Sequence, residues 1–110
     1  MRFRFGDCVL DTEQRELTRA GRPVPLLPKV MRLLEVLVER RPRVVSLSDL
    51  RGLLWPDALA GGTRVARLVN ELRAALGDEA RPPRFIRTVH RFGYAFCAEL
   101  SEEPPWRAPP

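Results

Sequence analysis

Apolar side chains recur at helical spacing three times between residues 29 and 76, and any fold of this chain has to bury those three stripes together. From Lys29 to Arg40, the residues Val30, Leu33, Leu34, Leu37 and Val38 follow the i, i+3, i+4, i+7, i+8 rhythm of one covered helix face. Pro28 suits the first turn of that helix and Pro42 closes it. The second stripe is short: Leu50, Leu53 and Leu54, opened by Ser46 and Asp49 in the spacing of a capping box and ended by Trp55-Pro56. Gly52 weakens this segment by about 1 kcal/mol relative to alanine. The third runs from Thr63, a candidate N-cap, to Leu76, with Gly77 as the stop. At ~100° per residue, Val65, Leu68, Val69, Leu72 and Leu76 share one side. Arg67, Asn70, Glu71 and Ala74 take the opposite side, with Arg64 and Arg73 on the flanks.

The remaining chain reads as strands and turns. Phe3 and Phe5, then Val9-Leu10 after Gly6-Asp7, alternate in strand fashion. Leu17-Thr18-Arg19 and Val24-Pro25-Leu26 flank Ala20-Gly21-Arg22-Pro23, a hairpin signal. Val44-Val45 is an extended link. Residues 57–62 form a connecting loop whose Leu59 is expected to plug the core, and residues 78–83 form another. Phe85-Ile86-Arg87-Thr88-Val89 and Tyr94-Ala95-Phe96-Cys97 are strand-like, joined by a turn at His90-Arg91-Phe92-Gly93. The fold class is therefore α+β: a winged helix-turn-helix with a small N-terminal antiparallel sheet, three helices and a C-terminal β-hairpin wing. At 110 residues the chain supports one core. The expected domain covers residues 1–100. Residues 101–110, acidic and then Pro-rich, read as a disordered tail or linker.

Several functions are excluded at this stage. No apolar stretch approaches the ~20 residues needed to span a bilayer, and the N-terminus lacks the apolar run of a secretory signal, so a cytoplasmic protein with no membrane partner is expected. One histidine and two cysteines do not make a zinc finger, and no metal or cofactor is expected. Cys8 and Cys97, both in apolar contexts, are expected as two buried, reduced thiols. Gly61-Gly62 lacks the following lysine of a phosphate-binding loop. His90 has neither a nucleophile nor a carboxylate pair in a motif, so the sequence offers no basis for enzymatic activity.

Charge points elsewhere. Lys and Arg number 19 against 14 acidic residues, a net charge of +5. Only Lys29 is lysine, as the coding bias of a GC-rich genome would produce, so position has to carry the argument. Between residues 61 and 97, Arg64, Arg67, Arg73, Arg81, Arg84, Arg87 and Arg91 face only Glu71, Asp78 and Glu79. The excess falls on the third helix and the hairpin, the two elements that would meet a DNA duplex. Arg67 and Asn70 can form paired hydrogen bonds to base edges in the major groove. Arg64 and Arg73 can neutralise phosphates. Arg87, His90 and Arg91 would bring cationic groups to a minor groove.

Four groups of residues carry a resemblance. They are Leu33-Leu34 in the first helix, Val44-Val45-Ser46 with Leu50 and Trp55 through the second, Leu72-Arg73-Ala74-Ala75-Leu76-Gly77-Asp78 at the end of the third, and Ile86 to Tyr94 in the hairpin. Over roughly residues 3–98 the chain resembles the C-terminal output domain of bacterial OmpR/PhoB-type response regulators. The resemblance implies a four-stranded N-terminal sheet, a recognition helix at 63–76 and a wing at 85–97. It implies that Arg73 and Thr88 touch phosphates, that Arg87 or Arg91 approaches the minor groove, and that two copies bind head to tail on direct repeats. Glu71 departs from the pattern, since related helices carry Arg or Lys there. A carboxylate can accept from cytosine N4, but it repels phosphate. With Met1 beginning the first strand, no receiver domain is expected ahead of it, and a C-terminal linker to another signalling module is. Three readings follow: a sequence-specific double-stranded DNA-binding transcriptional regulator; a protein-interaction module that kept the fold while its DNA binding weakened or vanished, motivated by Glu71; and a regulator acting through RNA polymerase, with DNA as a tether.

Overall fold

The computed structural model describes residues 1–56, 62–79 and 82–103, the side chains of residues 62 and 63 excepted. The expected Leu59 plug, Arg81 and the Pro-rich stretch from residue 104 onward lie outside the described residues. Four strands open the chain: β1 (Arg2–Phe5), β2 (Cys8–Asp11), β3 (Glu16–Arg19) and β4 (Arg22–Val24). They form an antiparallel meander with Phe5 opposite Cys8, Leu10 opposite Leu17, and Leu17 opposite Val24. The side-chain period of two turns Phe3, Phe5, Cys8, Leu10 and Leu17 inward, which fixes this register. The two-residue turn between β3 and β4 takes positive φ at both Ala20 (52°) and Gly21 (77°), the geometry that matches the twist of a tight hairpin.

Three helices follow: α1 (Pro28–Arg40), α2 (Leu47–Leu54) and α3 (Gly62–Leu76). Pro28 stands in the first turn of α1, where its missing N–H costs nothing. Ser46 caps α2 by accepting from the Asp49 N–H at 3.0 Å. Lys29 of α1 closes the other end, donating from Nζ to the Leu54 carbonyl at 2.6 Å while lying 5.4 Å from the centre of the Trp55 ring. A cation there also complements the negative end of the helix dipole. No helix among the described residues is long and apolar enough to cross a membrane.

The expected extended link at Val44-Val45 is in part a strand. β5 (Val45–Ser46) pairs with β7 (Gly93–Phe96), which pairs with β6 (Ile86–Val89), giving a second, three-stranded sheet in the order β5-β7-β6. A last strand, β8 (Ser101–Glu103), returns to the first sheet beside β1, so the order there is β4-β3-β2-β1-β8. The four expected strands thus gain a fifth. Residues 101–103, expected in the tail, are held by pairing with Arg2, Phe3 and Arg4. Side chains reinforce that pairing. Arg4 Nε donates to Glu103 Oε1 at 2.7 Å, and Arg41 at the end of α1 pairs with Glu102.

One core joins both sheets to the helices. Leu33, Leu34 and Leu37 of α1, Leu50 of α2, and Val65, Val69, Leu72 and Leu76 of α3 are fully buried. Phe5 links the sheets by edge-to-face contacts with Phe85 (5.4 Å) and Phe96 (5.1 Å). The two thiols differ from expectation: both are free, but only Cys8 is buried, whereas Cys97 is exposed. Cys97 lies just past β7, where its backbone N–H donates to the Phe85 carbonyl and no sheet face remains to cover its side chain. Burial, helped by Asp7, pushes the Cys8 thiol up to about 11. Iodoacetamide at mildly alkaline pH should therefore label native protein at Cys97 alone, and Cys8 only after denaturant unfolds the chain. Peptide mass spectrometry reads this directly, and equal labelling in the native state would contradict it.

Candidate nucleic-acid interface

The outer arc of α3 is polar and exposed. Arg64, Arg67, Asn70, Glu71 and Ala74 all face solvent, opposite the buried Val65, Val69, Leu72 and Leu76. Leu68, placed on the apolar stripe by periodicity, is only half-buried at its margin. The helix begins at Gly62, one residue before the expected 63–76, so the Thr63 backbone lies inside the first turn rather than at the cap position.

Arg73 is turned inward, not outward as a phosphate-facing flank. It is only 7% exposed. At ~100° per residue it lies about 40° from Val69, close enough to the apolar stripe for β6 to cover it. Its Nη2 donates to the Ile86 carbonyl and to Thr88 Oγ1, both at 2.9 Å. Its guanidinium carbon is 5.9 Å from the centre of the Tyr94 ring, and its buried Nε has no hydrogen-bond partner. Arg73 thus fastens α3 to the wing. The bond has a chemical consequence: Thr88 Oγ1 accepts from Arg73, which leaves the hydroxyl's own hydrogen free to donate to another acceptor.

A second fastening follows at once. Gly77, with φ of 71°, ends α3 in a Schellman motif: the Gly77 N–H donates to Ala74 and the Asp78 N–H to Arg73. This turn delivers the Asp78 carboxylate beneath the start of the wing. Its Oδ1 accepts from the N–H groups of Glu79 (2.8 Å) and Arg84 (2.7 Å), and its Oδ2 from those of Phe85 (3.2 Å) and Ile86 (2.8 Å). Asp78 is 8% exposed and its oxygens are taken up by these four N–H groups, so it presents no free carboxylate at the surface.

The wing is β6 and β7 with the turn between them. Arg87, Thr88, His90, Arg91 and Phe92 are exposed there, Phe92 at 54%. The turn is rigidly held: the Phe92 N–H donates to Val89 (2.9 Å), and the Phe92 carbonyl accepts from the Leu47 N–H at the start of α2 (2.8 Å). The left-handed position in the turn belongs to Arg91, at φ of 61°. Gly93 serves another purpose, letting the β5 backbone approach β7.

Of the expected site residues, Arg64, Arg67 and Asn70 are together on one exposed helix arc, and Arg87, Thr88, His90 and Arg91 are together on the wing. Arg73 is not among the exposed cations. Arg73 and Asp78 tie β6 to α3, while the Phe92–Leu47 bond ties the turn to α2, so both exposed groups ride on one frame. Sequence reasoning missed the roles of Asp78 and Lys29. An acid directly after a helix-ending glycine, a few residues ahead of a strand, is the signal that points to the first.

A family model described as "Transcriptional regulatory protein, C terminal" matches residues 21–96. The transcriptional regulatory protein CseB of Streptomyces coelicolor is 40% identical over 95 residues, covering 86% of this chain and 38% of CseB. The chain spans less than half the length of curated relatives such as these. Among solved structures, the Thermotoga maritima response regulator DrrB, an OmpR/PhoB homologue, superposes with a TM-score of 0.79 at 26% identity, over 86% of this chain and 43% of DrrB. The Klebsiella pneumoniae RstA DNA-binding domain, solved in complex with the RstA box, gives a TM-score of 0.74 at 25% identity, over 86% of this chain and 95% of that one.

Proposed function

The chain belongs to the family of transcriptional regulatory protein C-terminal domains, and from that membership we propose that it binds double-stranded DNA sequence-specifically to regulate transcription. In this reading α3 enters the major groove and the wing meets the adjacent minor groove. The observation that carries it is the pair of exposed cationic groups, Arg64 and Arg67 with Asn70 on α3, and Arg87, His90 and Arg91 on the wing, held on one frame. Arg67 and Asn70 read base edges, while Arg64 neutralises phosphate. Thr88, its oxygen accepting from Arg73, donates to a phosphate oxygen. Arg73 acts from behind by placing Thr88. Arg87 and Arg91 supply charge at the minor groove. Head-to-tail pairing of two copies on direct repeats, and contact with RNA polymerase, complete the proposal.

Fluorescence-anisotropy titration tests it. With Arg64, Arg67, Arg87 and Arg91 bringing charge to the duplex, log affinity should fall against log salt with a slope of about −3 to −4. Arg67→Ala should alter which sequences are preferred. Arg64→Ala should weaken all sequences alike and reduce the salt slope by about one. A flat salt response would overturn the reading.

Glu71 favours a second reading, a winged-helix protein-interaction module that no longer engages DNA, because its carboxylate is exposed on the arc that would face the duplex. In that case wild-type protein binds no duplex and Glu71→Arg creates binding.

A further inference from the structure

Glu71 is the one carboxylate on an arc otherwise made of Arg64, Arg67, Asn70 and Ala74, and every one of these residues is exposed. At ~100° per residue it lies about 40° from Arg67 and one turn further along the axis, inside the polar arc and not at its margin. None of the ion pairs among the described residues involves Arg67 or Glu71. The carboxylate is therefore not occupied in neutralising its neighbour. Resting on the reading of α3 as a major-groove helix, we propose that Glu71 is a base-specifying residue whose carboxylate accepts from the N4 amino group of cytosine.

Hydrogen-bond chemistry eliminates the other bases. A carboxylate brought into a groove lined by phosphates is repelled unless it meets a donor. The major-groove edges of guanine offer O6 and N7, and thymine offers O4, all acceptors that repel it further. Two amino groups remain, N6 of adenine and N4 of cytosine. Adenine sets the acceptor N7 beside N6, and a carboxylate has no hydrogen to give it. Cytosine presents its donor without that neighbour. Arg67, one turn away, has the complementary fork for guanine O6 and N7, so the two side chains form a donor–acceptor pair suited to G·C-containing steps. Glu71 acts mainly by penalising the other three bases, which makes it a source of discrimination more than of affinity.

Selection of duplexes from a randomised pool by wild type, Glu71→Ala and Glu71→Gln tests this, since none of these exposed substitutions removes a core contact. Wild type should enrich cytosine at one position. Glu71→Ala should lose that preference by about tenfold, with the rest of the motif unchanged. Glu71→Gln should move the preference to adenine, because an amide both accepts from N6 and donates to N7. Recovery of the wild-type motif by both variants, with or without a uniform rise in affinity, overturns the assignment while leaving DNA binding intact. If wild type enriches no motif and binds without salt dependence, the major-groove reading itself fails, and this inference with it.

Discussion

Asp78→Ala should destabilise the domain by about 4 kcal/mol, the largest effect expected of any single loop substitution. Four backbone N–H groups are deprived of their acceptor at once. Those of Glu79 and Arg84 belong to exposed residues and can turn to water. Those of Phe85 and Ile86 belong to residues 2% and 0% exposed, and a buried donor left without a partner costs about 1–3 kcal/mol. Two such donors set the figure, equivalent to a fall in melting temperature of roughly 15–30 °C for a domain of this size. Asp78→Asn should cost less, because one oxygen remains for one pair of N–H groups while the new NH2 opposes the other pair. Chemical denaturation measures both variants. Hydrogen exchange should locate the damage at the Phe85 and Ile86 amides. A change below about 1 kcal/mol for the alanine variant would mean that Asp78 is not what closes the wing onto α3.

Gly93→Ala should cost about 3 kcal/mol. The reason is space, not backbone freedom. A methyl group at this position would overlap the Val45 carbonyl oxygen and approach the Val45 carbonyl carbon to 2.8 Å and the Ser46 Cα to 2.9 Å. All three are main-chain atoms and none can rotate aside. Gly93 stands directly opposite Ser46, so relief requires β5 to leave β7. Ser46 also caps α2, and Leu47 donates to Phe92, so the displacement would reach the second helix and the wing turn together. Urea unfolding gives the stability loss. DNA affinity measured on the fraction that remains folded should fall as well, because the turn carrying His90 and Arg91 would no longer be anchored. Wild-type stability in this variant would show that the β5–β7 approach is looser than described.

What is legible in the sequence, and what is hidden there, divides by range. The three helices are legible because their signals are local: a period of 3.6 in leucine and valine, Pro28 at a start, Ser46 as a cap, Gly77 at a stop. The wing is legible from two β-rich runs around a turn. β5 and β8, with two and three residues, are too short to show a period. They exist because Val45 meets Tyr94 and Glu103 meets Arg2, partners far away in the chain. The candidate site divides in the same way. The exposure of Arg67 and Asn70 follows from angle alone. Arg73 sits where the angle is ambiguous, and the acceptors on β6 that draw it inward are 13 and 15 residues ahead. Asp78 reads as a charge competing with the arginines because its four partners are main-chain groups, which a sequence of side chains does not display. Cys97 reads as buried from its apolar neighbours, but it stands one residue past the sheet.

The pairing of β8 with β1 sets Arg2 and Glu103, the first and last strand residues among those described, side by side. In an antiparallel ladder loaded from this end, the cross-strand bonds lie along the pull and are reached singly, not as a group. Tension drawn between residues 2 and 103 would therefore peel the seam like a zip, beginning where Arg2 faces Glu103, and the seam would open before any load reached α3 or the hairpin.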